Sequence, residues 1–470
     1  MRYYLAVDIG ASSGRHILAH TENGRIALEE VYRFENNLVE RHGHQCWDLN
    51  ALFEHILAGL SACKAAGKIP ETMGVDTWAI DFVLLDAEDR LLGDTVAYRD
   101  SRTAGMDKVA EERVPFEEHY ARTGIQKQLF NTVYQLLAVQ RERPELLARA
   151  ERLLMLPDYF HFLLTGVKKN EYTNATSTAL VNAEGKDWDR ELIRRLGLPE
   201  RPFAPLSMPG ETVGRFSREI RERVGFDCTV VLTATHDTAS AFLAVPARDE
   251  HTVYLSSGTW SLLGVESLSP IISEAGRAAN FTNEGGYFYR YRFLKNIMGL
   301  WMIQSIRRDL GKKLSYAELE DLAAKAEGFD SLVDVNDPSF LAPNNMCEAV
   351  KGYCAKTGQA VPQTTGELMR CVYRSLARCY AESIEELEKI TGKRYTAVSI
   401  VGGGSKDGTL NRLTADYTGL PVSAGPSEAT ALGNLLVQMI AAGEFPNLQA
   451  ARAAVRESFS VKDYFPGEHQ

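Results

Sequence analysis

Apolar runs that end at small residues recur along the chain and predict strands followed by tight turns. The first run covers residues 3–10, the short segment 11–14 contains only Ala, Ser and Gly, and a second apolar run covers residues 15–20. Runs of β-forming residues bounded by Gly and Ser are typical of a β-hairpin. We therefore predict that the chain opens with a hairpin whose turn consists of small residues.

The same arrangement returns in the middle of the chain. Residues 251–265 again place a small-residue turn between two apolar runs. A unit repeated about 245 residues later in a chain of 470 residues indicates two similar domains in tandem. The polar, Pro-containing segment 244–250 suits a linker, so we predict an N-terminal domain over residues 1–245 and a C-terminal domain over residues 246–470.

Segments with a helical period alternate with the predicted strands. Apolar residues at this spacing predict helices over residues 49–64, 133–140, 294–309 and 368–390. A further strand over residues 395–401 leads into three glycines and a predicted helix over residues 409–416. Alternating strands and helices place the chain in the α/β class.

Composition and charge exclude several classes of protein. Hydrophobic residues make up 45% and charged residues 24%, which is typical of a globular protein and not of a disordered one. The 52 basic and 62 acidic residues give a net charge of −10 and are interspersed, which argues against nucleic-acid binding. No apolar run approaches the ~18 residues of a membrane span, and Asp8 interrupts any signal-peptide core. We expect a cytoplasmic protein with neither a nucleic-acid nor a membrane partner.

Cysteine and histidine spacing gives no sign of a metal site. The seven cysteines contain no CxxC pair, and in a reducing compartment most should be thiols. Cys354 and Cys371 flank a loop that contains Gly and Pro, so a disulfide between them stays open. The ten histidines lack metal-ligand spacing, and we do not expect a structural zinc site.

The two small-residue turns are candidates for binding phosphate. Small residues allow the backbone to approach a ligand, and successive N–H groups form a concavity for phosphate oxygens. Either turn alone is explained as simply by a tight hairpin, but the repetition favours a polyphosphate site. Asp8 ends an apolar strand and is a candidate Mg²⁺ anchor acting through water, or else a turn-forming residue. Arg15 could meet phosphate or pair with a surface acid.

Two further segments carry groups suited to catalysis or sugar binding. Asp237 lies where an apolar strand meets a helix, and it could cap the helix or accept a proton from a substrate hydroxyl. Trp78 lies between carboxylates and is either a sugar-facing surface or a core residue. Asn296 and Gln304 are separated by two steps of four on the predicted helix 294–309, so both amides could point to one side of a site or simply form an ordinary polar helix face.

Several of these signals occur together in one order, and the chain resembles the FGGY carbohydrate kinase family, within the actin-like ATPase superfamily. The resemblance covers essentially the whole length and is closest to bacterial members that act on L-rhamnulose. It is carried by residues 8–15, 98–103, 155–159, 172–176, 236–240, 255–261, 294–301 and 401–404.

The resemblance implies two ribonuclease-H-like domains that enclose a catalytic cleft. It also implies ATP-dependent phosphorylation of L-rhamnulose at its 1-hydroxyl, with ATP as co-substrate and Mg²⁺ as cofactor. Asp237 would be the general base. The residues lining the ketose would be Ala79, His236, Thr238 and Asn296, and those holding ATP would be Ala11, Ser12, Ser13, Gly14, Arg15, Thr259, Gln304 and Gly402.

The sequence departs from the family pattern at two positions and leaves alternatives open. Ala79 stands where such kinases commonly carry Gly, and Asn411 where many carry Gln, which puts fine specificity in doubt more than activity. Another ketose, such as L-fuculose or xylulose, is an alternative substrate. A nucleotide-regulated binding protein of the actin or chaperone type is an alternative from a different class. Monomer and homodimer both stay open.

Overall fold

The computed structural model describes residues 1–247 and 249–468, so that Arg248 of the predicted linker lies outside the described residues. The chain divides into two compact units. The first unit comprises Met1–Ala244, Glu266–Phe293 and Thr430–Ser458, and the second comprises Val245–Val265, Leu294–Ala429 and the chain from Phe459 onward. The first break falls close to the predicted boundary, but two later segments return to the first unit.

Strands and helices alternate through the first part of the chain. Its strands are β1 (Tyr3–Ile9), β2 (Ser13–Glu22), β3 (Arg25–Glu35), β4 (Leu38–Arg41), β5 (His44–Trp47), β6 (Pro70–Thr77), β7 (Phe82–Leu85), β8 (Arg152–Met155), β9 (Asn170–Glu171), β10 (Val181–Asn182), β11 (Asp187–Trp188), β12 (Leu206–Ser207), β13 (Thr212–Arg215) and β14 (Thr229–Val231). Its helices are α1 (Leu49–Ala65), α2 (Met106–Arg113), α3 (Phe116–Thr123), α4 (Thr132–Glu142), α5 (Pro144–Arg149), α6 (Leu156–Thr165), α7 (Tyr172–Thr176), α8 (Arg190–Arg195), α9 (Arg218–Val224) and α10 (Asp237–Leu243).

The remainder of the chain continues this alternation. Its strands are β15 (Thr252–Ser257), β16 (Trp260–Ser267), β17 (Thr282–Gly285), β18 (Tyr291–Met298), β19 (Ala397–Val401), β20 (Val422–Ala424) and β21 (Lys462–Tyr464). Its helices are α11 (Glu274–Ala278), α12 (Trp301–Asp309), α13 (Tyr316–Lys325), α14 (Met346–Lys356), α15 (Thr365–Thr391), α16 (Gly408–Thr418), α17 (Ala429–Ala441) and α18 (Leu448–Ser458). Short 3₁₀ turns cover Ser101–Thr103, Tyr287–Tyr289, Pro338–Phe340 and Gly403–Lys406.

Most of the predicted elements are confirmed, and one is wrong. Both hairpins form, and the helices predicted over residues 49–64, 133–140, 368–390 and 409–416 correspond to α1, α4, α15 and α16. The single helix predicted over residues 294–309 is instead the end of strand β18 followed by helix α12. A short segment of mixed apolar and polar residues fits either period, and residues 294–298 form a strand because they are paired in a sheet.

The first unit is built on a six-stranded sheet in the order β13-β14-β6-β1-β2-β3. β1 is antiparallel to β2 and parallel to β6. The largely buried residues of β1 form a core with the apolar face of α1, which includes Leu52, Ile56 and Leu60. Helix α1 starts where Asp48 accepts a 3.1 Å hydrogen bond from the N–H of Ala51, as expected of an N-cap.

The later segments join the first unit through specific contacts. Helix α18 packs on β3. In helix α17, Gln438 donates to the carbonyl of Leu5 in β1 at 2.9 Å and accepts from the hydroxyl of Thr72 in β6 at 2.7 Å. These buried bonds bind an amide from the end of the chain to the central strands of the first sheet. A tandem repeat in the sequence does not reveal such a return.

The second unit repeats the strand arrangement of the first. β15 is antiparallel to β16 and parallel to β19, and β19 is parallel to β20, which pairs with β21 antiparallel. In both units, the first strand of a hairpin is therefore also paired in parallel with a strand that arrives later in the chain. This arrangement agrees with the repeat predicted from the sequence.

The longest helix, α15, packs in the second unit. It begins at a capping box in which Thr364 and Glu367 satisfy each other's backbone N–H groups. It buries one face, and the Tyr380 hydroxyl on that face lies 2.7 Å from Ser261 Oγ of β16.

No helix among the described residues is long and apolar enough to cross a membrane. Cys354 and Cys371 are buried free thiols, as are all but one of the other cysteines, and Cys379 is a half-buried free thiol.

Candidate active site

The strand-end Asp8 pairs with Arg15 in the first hairpin. The N–H of Gly10 closes the turn by donating to the Ser13 carbonyl at 2.9 Å. Asp8 stands opposite Arg15, whose guanidinium donates to Asp8 Oδ2 from Nε at 3.1 Å and from Nη2 at 3.0 Å. The hairpin thus holds a buried carboxylate and a half-buried cation beside its small-residue turn.

A second carboxylate, Asp76, is the register partner of Asp8 in the parallel strand β6. Asp76 is fully buried, and its Oδ2 accepts a 2.6 Å hydrogen bond from Asn434 Nδ2. Its Oδ1 has no hydrogen-bond partner among the described residues. Burial raises the pKa of Asp76 well above its usual range, and the neighbouring charge of Asp8 raises it further. An isolated buried charge of this kind is costly unless a cation or a proton offsets it.

Asp237 is the first residue of helix α10. His236 occupies the N-cap position, so the interpretation of Asp237 as the helix cap is wrong. The Asp237 carboxylate accepts a 3.1 Å hydrogen bond from the Thr238 hydroxyl, and its side chain keeps 32% of its surface exposed. A negative charge in the first turn of a helix is favoured by the helix dipole.

Electrostatics favour a proton on Asp237. Burial and then the charge of Asp8 raise the pKa of Asp237 to about 7, while the Thr238 hydrogen bond and Arg292 act in the opposite direction. Because the side chain is partly exposed, water screens part of this repulsion. A carboxylate whose pKa lies near neutrality is well matched to accepting a proton from a hydroxyl.

Within the described residues, no group of three or more His, Cys, Asp or Glu side chains is placed to hold a metal ion.

His236 is held by a buried ion pair on the side away from Asp237. Its Nδ1 lies 3.0 Å from Arg292 Nη2 and 3.3 Å from Glu284 Oε2, and those two groups are 3.0 Å apart. Its other nitrogen, Nε2, lies 3.5 Å from Asp237 Oδ1. Burial, and next the charge of Arg292, hold the pKa of His236 well below its usual range. The ring is therefore neutral at physiological pH.

Glu171 fixes the backbone just before His236. This fully buried carboxylate accepts hydrogen bonds from the N–H and the hydroxyl of Thr173, from the N–H of Asn174, and from the N–H and the hydroxyl of Thr235, at 2.6–3.2 Å. Five donors on one carboxylate join α7 to the segment that leads into α10. The position of the His236–Asp237 pair is thus set by contacts distant in sequence.

Ala79 lies in the turn between β6 and β7. The next residue, Ile80, has a φ of +71°, and the N–H of Asp81 donates to the Ala79 carbonyl at 2.9 Å. The buried Asp81 carboxylate accepts from the indole N–H groups of Trp47 at 2.6 Å and Trp78 at 2.9 Å. The two indole rings pack 4.2 Å apart, and Trp78 is 7% exposed. Trp78 is therefore a core residue that supports the turn, and the sugar-facing interpretation is not supported.

The second hairpin is bonded to the start of helix α12. The N–H of Gly258 donates to the Trp260 carbonyl at 2.9 Å within the turn. The N–H groups of Leu300 and Trp301 donate to the carbonyls of Gly258 and Thr259 at 2.9 and 3.1 Å. The turn that contains Thr259 is thereby fixed to a rigid helix.

The glycine run after β19 packs directly against this turn. Gly402 has a φ of +83°, and a Cβ there would lie 2.9 Å from the Ser257 carbonyl oxygen. A Cβ on Gly404 would overlap the Ser257 side chain. The Ser405 N–H and hydroxyl both bond the Gly402 carbonyl, and Asn411 Nδ2 donates to the Ser405 carbonyl at 3.0 Å. A glycine is thus required at position 402 by the left-handed conformation and by the close approach of the Ser257 backbone.

Asn296 and Gln304 do not share a helix face. Asn296 lies in strand β18, whereas Gln304 lies in helix α12, so the prediction that one helix carries both amides is wrong. Asn296 Oδ1 is a buried oxygen without a hydrogen-bond partner among the described residues. That unpartnered acceptor is compatible with a ligand contact, although a strand carries it and not the predicted helix.

The predicted site residues fall on both units. The first unit holds Asp8, Ala11, Ser12, Ser13, Gly14, Arg15, Ala79, His236, Asp237 and Thr238. The second unit holds Thr259, Asn296, Gln304 and Gly402. Within the first unit, Asp8 and Asp237 act on each other electrostatically. Within the second, Gly402 contacts the hairpin that carries Thr259.

Sequence reasoning missed the residues that surround His236 and Asp237. Glu171, Glu284 and Arg292 received no role, although an arginine inside the apolar aromatic run around residue 292 is a signal of a buried ion pair. Asp76 ends an apolar strand just as Asp8 does, and the same reasoning could have marked it. Asn434 carries no local signal, because its role depends on a contact across 358 residues of sequence.

Comparison with known families matches almost the entire chain. Residues 3–244 match the N-terminal domain of the FGGY family of carbohydrate kinases, and residues 253–442 match its C-terminal domain. A rhamnulokinase of Halalkalibacterium halodurans is 50% identical over 470 residues, which cover 100% of both chains. A rhamnulokinase of Bacillus subtilis is 43% identical over 464 residues, which cover 98% of this chain and 95% of the relative.

Solved structures share the fold at much lower identity. A ligand-bound xylulose kinase of Lactobacillus acidophilus matches with a TM-score of 0.81 and 18% identity over 99% of this chain and 94% of its own. A Plasmodium falciparum glycerol kinase with ADP matches with a TM-score of 0.78 and 15% identity over 99% and 94%. At these identities, the likeness extends to the fold alone.

Proposed function

The chain belongs to the FGGY family of carbohydrate kinases, and from this premise we propose that it transfers the γ-phosphoryl group of ATP to the 1-hydroxyl of L-rhamnulose, with Asp237 as the general base. The high identity to rhamnulokinases over the full length of the chain supports the substrate. The observation that carries the catalytic role is the Asp237 carboxylate at the start of α10, with its pKa raised to about 7 and His236 beside it.

The proton and phosphoryl transfers balance within this arrangement. Asp237 accepts the proton of the ketose 1-hydroxyl as its oxygen forms a bond to the γ-phosphorus of ATP. The bond from that phosphorus to the β,γ-bridging oxygen breaks, and ADP leaves with the electron pair. The base mainly positions and orients the hydroxyl, because phosphoryl transfer depends chiefly on alignment and on stabilisation of charge.

Mg²⁺ fits the charges at the ends of β1 and β6. Asp8 and Asp76 are register partners in paired strands, and Oδ1 of Asp76 has no hydrogen-bond partner among the described residues, which supports a nearby cation or a proton on Asp76. We propose Asp8 as the anchor of the ion through water, since Mg²⁺ tends to keep several waters beside phosphate. Bound Mg²⁺ would offset phosphate charge during the reaction.

The remaining site residues keep the roles predicted for them. We propose that Ala11, Ser12, Ser13, Gly14 and Arg15 of the N-terminal domain meet the ATP phosphates, and that Thr259, Gln304 and Gly402 of the C-terminal domain complete the nucleotide contacts. Ala79, His236, Thr238 and Asn296 are proposed to contact the ketose. Support comes from the tight hairpin turns and from the open acceptor on Asn296.

The test is an ADP-release assay with Mg-ATP across a panel of ketoses that includes L-rhamnulose, L-fuculose and xylulose. Asp237→Asn is compared with Asp321→Asn, a matched control whose carboxylate is 61% exposed and pairs with Lys325 on α13. We expect the highest kcat/KM with L-rhamnulose, a loss of about 10²–10⁴-fold in kcat for Asp237→Asn, and no change for the control.

The outcomes separate the alternatives. Preference for another ketose would keep the mechanism and refute the substrate. Full activity of Asp237→Asn would refute the base. ATP hydrolysis without any ketose-dependent turnover would favour a nucleotide-regulated binding protein. Cytoplasmic location and the choice between monomer and homodimer stay predictions, which fractionation and light scattering test.

A further inference from the structure

We infer that Arg292 is a positioning residue that holds His236 as the Nε2–H tautomer, so that the ring presents a hydrogen-bond donor beside the acceptor Asp237. The kinetic part of this inference rests on the function proposed above. The structural part concerns only the buried group formed by His236, Glu284 and Arg292.

The tautomer follows from the chemistry of the donor. A guanidinium has N–H donors and no acceptor, and Arg292 Nη2 lies 3.0 Å from His236 Nδ1 in hydrogen-bond geometry. Nδ1 must therefore carry a lone pair and accept. Because the imidazole is buried and lies against a cation, it is neutral. Its single proton must then be on Nε2, the nitrogen that lies 3.5 Å from Asp237 Oδ1.

Glu284 offers a competing partner that this geometry does not favour. Its Oε2 lies 3.3 Å from His236 Nδ1, which would suit a proton on that nitrogen. That oxygen accepts no hydrogen bond from the ring, and it lies 3.0 Å from Arg292 Nη2. Glu284 thus serves mainly to balance the charge of the guanidinium, which has only 1% of its surface exposed.

Arg292 is itself held by two further contacts of its head group, while its Nη1 has no hydrogen-bond partner among the described residues. Its Nε donates to the Gly285 carbonyl at 3.1 Å, and the guanidinium lies 5.9 Å from the centre of the Phe242 ring. Gly285 is in turn bonded through its N–H to the Thr176 hydroxyl at 2.8 Å. These contacts restrict the guanidinium, so it can impose one orientation and one tautomer on His236.

The result is a donor and an acceptor on neighbouring residues. Nε2–H of His236 donates, and the Asp237 carboxylate accepts, at positions 3.5 Å apart. A hydroxyl group can both accept and donate, so it satisfies both at once. The opposite tautomer would place a lone pair next to the carboxylate and would repel the same oxygen. We therefore expect Arg292 to act on ketose binding and to have little effect on ATP binding.

The first experiment measures the tautomer without reference to activity. Histidine labelled with ¹⁵N gives distinct signals for protonated and unprotonated ring nitrogens, and His236→Gln assigns the signal among the ten histidines. We expect protonated Nε2 and unprotonated Nδ1 for His236 in the wild-type protein and in Arg292→Lys. Arg292→Met should lose this single state. A wild-type ring protonated on Nδ1 would overturn the inference.

The second experiment separates positioning from folding. Arg292→Met is made together with Glu284→Gln so that no charge is left unpaired in the interior, and the KM values for L-rhamnulose and ATP are measured. We expect the ketose KM to rise about tenfold, as expected for loss of one hydrogen bond of about 1.4 kcal/mol. The ATP KM should change less than about twofold by the same scale. Arg292→Lys, which keeps a donor, should restore most of the ketose KM.

Arg452→Met combined with Glu266→Gln is the matched control. Arg452 also forms a pair that is largely shielded from solvent, with Glu266 at 2.9 Å, and its Nε donates to the carbonyl of Leu243 at the end of α10. A rise in ketose KM as large in the Arg452→Met and Glu266→Gln double variant as in the Arg292→Met and Glu284→Gln double variant would overturn the positioning role. An unchanged ketose KM in a variant in which His236 has lost the single Nε2–H tautomer would also overturn the positioning role. Absence of ketose turnover in the wild-type protein would refute the proposed function, while the spectra would still decide the tautomer.

Discussion

Gly285→Ala is a sharp test of how tightly the first unit is packed around β17 and α7, next to Arg292, which contacts His236. Gly285 ends β17 beside helix α7. A Cβ at this position would lie 2.5 Å from Tyr172 Cε1, 2.9 Å from Thr176 Cγ2 and 3.0 Å from Tyr172 Cδ1. The φ of Gly285 is not in the left-handed region, so the substitution tests space and not backbone strain.

The geometry gives the size of the effect. Ordinary van der Waals contacts begin at 3.4 Å, so the nearest atoms must separate by about 0.9 Å. Tyr172 is 1% exposed and has no solvent to move into. Overpacking of this kind costs about 1–3 kcal/mol. For a unit of this size, that lowers the midpoint of thermal unfolding by about 2–6 °C.

Thermal unfolding followed by circular dichroism is the assay, with Gly352→Ala as the matched control. Gly352 lies inside helix α14, and a Cβ added there would meet no atom within 4 Å, so alanine should stabilise by about 0.5–1 kcal/mol. A Gly285→Ala protein that melts at or above the wild-type temperature would refute the packing argument. Because the Gly285 carbonyl orients Arg292, we also expect a raised ketose KM.

Three further predictions follow from other parts of the protein. The pKa of Asp237 is raised to about 7, and the proposed base must be unprotonated to act. Therefore kcat/KM for the ketose should fall as the pH drops below about 7 and level off above it. A flat profile from pH 5 to pH 8 would contradict this prediction. Gly404→Ala should raise the ATP KM about tenfold while leaving the ketose KM nearly unchanged, because the added Cβ would displace Ser257. Equal effects on both KM values would contradict the proposed nucleotide-binding role of this glycine run. Asn434→Ala should destabilise the fold by about 2 kcal/mol in urea unfolding, because it removes the donor to the buried Asp76, and unchanged stability would mean that Asp76 is compensated in another way.

The repeat and the class of fold could be predicted from local sequence. Two apolar runs around a small-residue turn specify a hairpin wherever they occur, and their recurrence indicated two similar α/β domains. Motifs at residues 8–15 and 236–240 carried the resemblance to the FGGY family, which the family and full-length matches confirm. These features are local, because strand and turn preferences act over a few residues.

The helix over residues 294–309 shows where local reasoning failed. The strand Tyr291–Met298 mixes apolar and aromatic residues with Arg292, Lys295 and Asn296, and this pattern fits both a helix and a buried strand. Pairing within a sheet decided the outcome, and sheet pairing depends on partners far away in sequence. The same limit explains why Asn296 and Gln304 could be chosen individually while their common helix was wrong.

Local sequence patterns were enough to identify the two hairpins, the helices α1, α4, α15 and α16, and the candidate base, because each has a short-range signature. The tertiary structure alone decided the surroundings that give Asp237 its chemistry. Burial and then the charge of Asp8 raise its pKa, Glu171 accepts hydrogen bonds from the backbone just before His236, and Arg292 lies within hydrogen-bond distance of the imidazole beside it. Burial and charge act through space, so residues distant in sequence influence the protonation and orientation of the residues that the sequence could identify.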